Sequence, residues 1–163
     1  MRRPCPQIRR AMSPAGLPLD VERLLVDVVA DGFVVYCCGP KAAPNALVAS
    51  YKWNRCVDLL TIRDFDRVTV ARVPAPTRVD IFAPEAVIWS YEGTPQLALR
   101  ALLDLVHPAH PDALTAESPA PPSLRSPRAL QRPMTILLPS STRAGVRSTR
   151  LAVGLRTIGL TSS

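Results

Sequence analysis

Every aromatic ring in this chain falls between Phe33 and Tyr91: Phe33, Tyr36, Tyr51, Trp53, Phe65, Phe82, Trp89 and Tyr91. Large rings dominate what a small core can bury, so the stretch that holds them is the one able to offset the entropy of ordering its backbone. Charge divides the chain in the same way. Residues 1–18 carry four arginines and no acid, residues 19–106 carry nine basic and eleven acidic side chains, and residues 107–163 carry seven arginines and two acids. The reading is a basic disordered arm over 1–18, an α+β domain over 19–106, and a Pro/Arg-rich, mostly disordered tail over 107–163. That last stretch packs eight prolines between Pro108 and Pro139.

The formal charge is +7, yet only Lys41 and Lys52 among the 20 basic residues are lysines, and the chain has 18 prolines. Such usage follows GC-rich codons and weakens any step from arginine content to nucleic acid. No apolar stretch approaches the roughly 20 residues that cross a bilayer. The opening "MRRPCPQIRRAMSPAG" has charges with no apolar run behind them. Four cysteines, Cys5, Cys37, Cys38 and Cys56, are too irregularly spaced for a disulfide scaffold and read as free thiols in a reducing, cytoplasmic setting. Initiation at Met12 instead of Met1 would delete Arg2, Arg3, Arg9 and Arg10 and lower the charge from +7 to +3.

Within the core, Val21, Leu24, Leu25, Val28 and Val29 follow helical spacing, with Asp20 as the expected N-cap, a Leu19–Leu24 staple and Gly32 past the end. Residues 33–38, 46–51 and 56–62 are β-branched or aromatic runs separated by turn residues, an antiparallel meander. Asp64 ahead of "FDRVTVAR" suggests a short helix over 64–72. Residues 79–82 and 86–91 read as two more strands, the latter with Val87, Trp89 and Tyr91 on one face. Thr94 as N-cap and Pro95 at the first position open a last helix carrying Leu99, Leu102, Leu103 and Val106. The expected order is αβββαββα, a small mostly antiparallel sheet with helices on one face.

Four groups of residues carry candidate chemistry. An apolar strand followed by Asp64-x-Asp66 resembles the first motif of haloacid-dehalogenase-like phosphotransferases. That resemblance implies Asp64 as nucleophile, Asp66 as acid/base and a bound magnesium. The family also needs a downstream lysine and a later acidic pair, and both lysines here precede Asp64. A metal-dependent enzyme using Asp64 and Asp66, with Asp80 or Glu85, is therefore an alternative behind a plain helix-capping role. Cys37, Cys38, Cys56, His107 and His110 lack the spacing of a zinc site, and no glycine-rich phosphate loop occurs, so no metal or cofactor is expected. Tyr51, Lys52, Trp53 and Arg55 at the 50–55 turn form a candidate partner contact, an aromatic anchor flanked by cations. Arg143, Arg147 and Arg150 would share one face of a C-terminal helix and form a candidate nucleic-acid or anion contact.

The stretch "VDLLTIRDFDRVTVARVPAPTRVDIFAPEAVIWSYEG" resembles short uncharacterised proteins of high-GC actinomycetes. The resemblance implies a bacterial, cytoplasmic origin and supplies no catalytic residue. Taken together, the chain reads as a small non-enzymatic accessory or regulatory protein that acts through contact with another protein or as a homodimer. Nucleic-acid binding through the tail and the Trp53/Arg55 turn is the second reading.

Overall fold

The computed structural model describes residues 17–40, 42–75 and 79–159. The expected arm over 1–18 lies almost wholly outside them. The elements are α1 (Leu19–Ala30), β1 (Val34–Cys38), β2 (Ala46–Lys52), β3 (Cys56–Asp64), β4 (Arg67–Pro74), β5 (Ala86–Val87), β6 (Trp89–Gly93), α2 (Pro95–Leu103), β7 (Ser118–Pro119), a 3-10 turn (Pro122–Leu124), α3 (Arg128–Gln131), β8 (Met134–Leu137) and α4 (Val146–Gly159). Six strands form one antiparallel sheet in the order β6-β4-β3-β2-β1-β8, and β5 pairs with β7. The α+β class with its mostly antiparallel sheet is the one expected.

α1 and α2 cover one face. Val21, Leu24 and Val28 from α1, with Ala98 and Leu102 from α2, pack on Val35, Leu47, Ala49, Leu60, Ile62, Val68 and Val70. α2 is capped as expected, Thr94 Oγ1 accepting from the Leu97 N–H. α1 begins two residues earlier than its N-cap reading: Pro18 is the N-cap and Leu19 is already helical and 48% exposed, so Leu19 does not take the place ahead of the cap that a staple needs. Gly32 ends α1 at φ 101, where a Cβ would lie 2.6 Å from the Arg143 carbonyl oxygen.

Three local expectations are corrected. The helix expected over 64–72 is the hairpin β3–β4, because Val68 and Val70 pack on one face of the strand and Ala71 and Val73 on the other, so both faces are buried. Phe65 and Asp66 form its turn. Residues 79–82 make a turn instead of a strand. The 86–91 strand is broken at Ile88, whose N–H bonds to the Arg72 carbonyl, so Val87 packs on the face opposite that of Trp89.

The largest correction concerns residues 107–159. They return along the second face of the sheet, where Leu124, fully buried, packs with Val57, Leu59, Ala71, Val73 and Val87. β8 then adds beside β1, and α4 closes the end of the helix-covered face through Arg147. These residues form part of the packed domain. The strand β3 is buried on both faces, so a second layer is a physical requirement, and this proline-rich segment supplies it.

Candidate functional site

Strand register lays Tyr51, Asp58, Arg72 and Trp89 side by side across β2, β3, β4 and β6. They occupy the end of the helix-covered face that α1 and α2 leave open. Asp58 is fully buried in the middle of an apolar strand, an expensive place for a carboxylate without cations. Two arginines compensate it. Arg72 donates to its Oδ1 at 2.7 Å and its Oδ2 at 3.1 Å, and Arg147 Nε donates to Oδ2 at 3.0 Å. Trp53 Nε1 adds a fourth bond at 2.9 Å.

Arg147 sits on the first turn of α4 with no exposed surface. Its other nitrogens donate to Asp31 Oδ2 and to the Leu102 carbonyl, each at 2.9 Å. Asp31, just past α1, also takes Arg150 on both oxygens, at 2.9 Å each. That hydrogen bond holds the Arg150 guanidinium above its ordinary basicity, against the opposing effect of its burial. The Tyr51 hydroxyl bonds Ser148 Oγ and accepts the Ser148 N–H at 3.0 Å. Every carboxylate oxygen of Asp31 and Asp58 thus faces guanidinium. Neither group is placed to act as a base, and the cluster joins elements 116 residues apart in sequence.

The expected site residues separate accordingly. Tyr51 is buried in this network, and Trp53 is half-buried against it. Lys52 and Arg55 remain exposed. Arg143 is exposed, whereas Arg147 and Arg150, expected to contact an external anion, are held by Asp31 and Asp58. Asp64 and Asp66 lie at the β3–β4 turn, and no group of three His, Cys, Asp or Glu side chains that could hold a metal is found among the described residues.

Outside the network, Lys52, Trp53, Asn54, Arg55, His107 and Ser148 line an open pocket of about 830 Å³ together with Pro108 and Ala109. Trp53 stands edge-on to His107 at 4.8 Å between ring centroids and packs on Tyr51 at 5.0 Å. His107 Nδ1 accepts the Ala109 N–H at 3.0 Å, which leaves the proton of the neutral ring on Nε2. Burial, then the charges of Arg72 and His110, push the His107 pKa below its ordinary value. The sequence reading missed His107 and Ser148 as members of this pocket, since they come from segments far from the turn.

A second surface was also missed. β8 is an edge of the sheet, and Ile136, Leu137 and Leu138 beside it are 52%, 48% and 73% exposed. The Gly39 N–H bonds the Pro133 carbonyl at 2.7 Å, and Cys37 and Val35 pair with Thr135 and Leu137. Antiparallel alternation therefore turns the backbone groups of Thr135 and Leu137 toward β1 and those of Met134 and Ile136 to the open side. Leu138 continues that outer row. The signal for this edge was the uncharged run "MTILL" between Pro133 and Pro139. Compared with protein-family profiles, curated proteins and solved structures, the chain matches none.

Proposed function

We propose that this is a non-enzymatic accessory protein of a bacterial cytoplasm that works by polypeptide contact, and that the open edge of β8 pairs antiparallel with the same edge of a second copy. One observation carries the reading: the sequence carries no charge from Pro133 to Thr142, and Ile136, Leu137 and Leu138 at and beside β8 are exposed. The opposite edge strand, β6, carries Glu92 in an ion pair with Arg67. Charged side chains are a usual protection of sheet edges, and β8 lacks it. The prolines at 133 and 139 share the inward alternation, so the outward donors at Met134, Ile136 and Leu138 are retained. A twofold pairing centred on Ile136 sets Arg132 opposite Ser140 of the second copy, so no like charges meet. The free thiols of Cys38 and Cys56 support a reducing compartment, and no helix among the described residues is long and apolar enough to cross a membrane.

Sedimentation of the full chain tests the reading. Wild type is expected to dimerise, and Ile136→Lys with Leu138→Lys to remain monomeric and to melt where wild type diluted to monomer does. Salt should strengthen the dimer, because it screens repulsion between two copies at +7 each. A wild-type monomer up to about 1 mM, where association is worth only about 4 kcal/mol, overturns the proposal. An alternative nucleic-acid role predicts the opposite salt dependence, and its support is thinner now that Arg147 and Arg150 are engaged internally.

A further inference from the structure

The pocket beside Trp53 takes, we infer, a small organic oxyanion such as a phosphate monoester, independently of the β8 edge. Its lining contains Lys52 and Arg55 and no carboxylate; Asp58, behind Trp53, is engaged by Arg72 and Arg147, and Asp80 lines the hollow on the other side of Trp53. The free Nε2–H of His107 adds a neutral donor, fixed in direction by the Ala109 bond and the Trp53 contact. Trp53 and Pro108 provide an apolar wall, and Trp53 is itself held by Asp58, so the wall is organised before a ligand arrives. About 830 Å³ lies within the usual range of small-ligand pockets. A long phosphate chain is disfavoured: Arg147 and Arg150, which would continue a cationic track, face Asp31 and Asp58 instead.

The charged groups around His107 are Arg72 and His110, with Lys52 and Arg55 on the opposite rim and Asp58 behind Trp53. An anion seated between them raises the affinity of His107 for its proton, a readout specific to this pocket. The experiment titrates the full-length protein with phenyl phosphate, inorganic phosphate and oligothymidine, following the His107 ring signal by NMR. Phenyl phosphate is expected to bind saturably and more tightly than inorganic phosphate, and to move the His107 titration upward. The exposed double variant Lys52→Ala/Arg55→Ala should fold normally and lose about tenfold in affinity. No saturable binding, equal affinity in the double variant, or an unmoved His107 overturns the inference. So does oligothymidine binding in the absence of phenyl phosphate binding, which points to nucleic acid instead.

Discussion

Replacing Arg147 by Ala removes the one side chain that bonds Asp31, Asp58 and the Leu102 carbonyl together. Breaking a buried ion pair by deleting one partner costs about 3–5 kcal/mol, chiefly because the remaining charge stays buried. Here Asp58 keeps Arg72 and Asp31 keeps Arg150, so the loss belongs at the lower end, about 3 kcal/mol. For a chain of this length that lowers the melting temperature by roughly 6–12 °C. Arg147→Lys retains the charge and loses the guanidinium fork, and should cost about 2 kcal/mol. Arg143→Ala, four residues earlier and exposed, should stay within about 0.5 kcal/mol of wild type. Urea unfolding monitored by circular dichroism gives all three values. Equal, small losses for Arg147→Ala and Arg143→Ala would refute the reasoning, since residues 107–159 would then be the loose tail their composition suggests.

Two further outcomes follow from single residues. Gly32→Ala should destabilise the fold by about 1–3 kcal/mol in the same assay, because φ is 101 and the new Cβ meets the Arg143 carbonyl at 2.6 Å; a neutral result would show that this turn relaxes freely. The Cys56 thiol is pushed up to about 11 by burial first and the Asp58 charge second, so the folded protein holds this proton more tightly than the unfolded chain. Its contribution, about 3 kcal/mol, is present below pH 9 and is lost as pH rises through 11. Cys56→Ala should flatten that alkaline decline, and an unchanged decline would assign it to other groups.

Periodicity made α1, α2 and the meander β1–β3 legible, because each buries one face or two in a pattern that local sequence alone displays. β4 was obscured by Asp64 and Asp66, whose fit to a helix start competed with the alternation of Val68 and Val70. The packing of residues 107–159 was hidden for a different reason: composition reports how much apolar surface a segment owns, not which charge it answers. Leu124 lies among prolines, and the aspartates that receive Arg147 are 116 and 89 residues upstream. One signal was present. Asp58 inside "CVDLLTI" demanded a buried cation that the meander itself lacked. At the Trp53 turn the cations and the ring were readable, but not His107, which arrives from the segment after α2.

The arginine on α4 also sets the order in which the molecule can be completed during synthesis. Arg72, 14 residues on, can pair with Asp58 early, but the second guanidinium comes from a residue translated 89 positions after Asp58. The sheet emerging from a ribosome thus holds an Asp58–Arg72 pair still open to water on one face and an uncovered apolar face opposite. Productive closure waits for α4, a long-range step of the kind that slows folding and leaves nascent chains dependent on protection from aggregation.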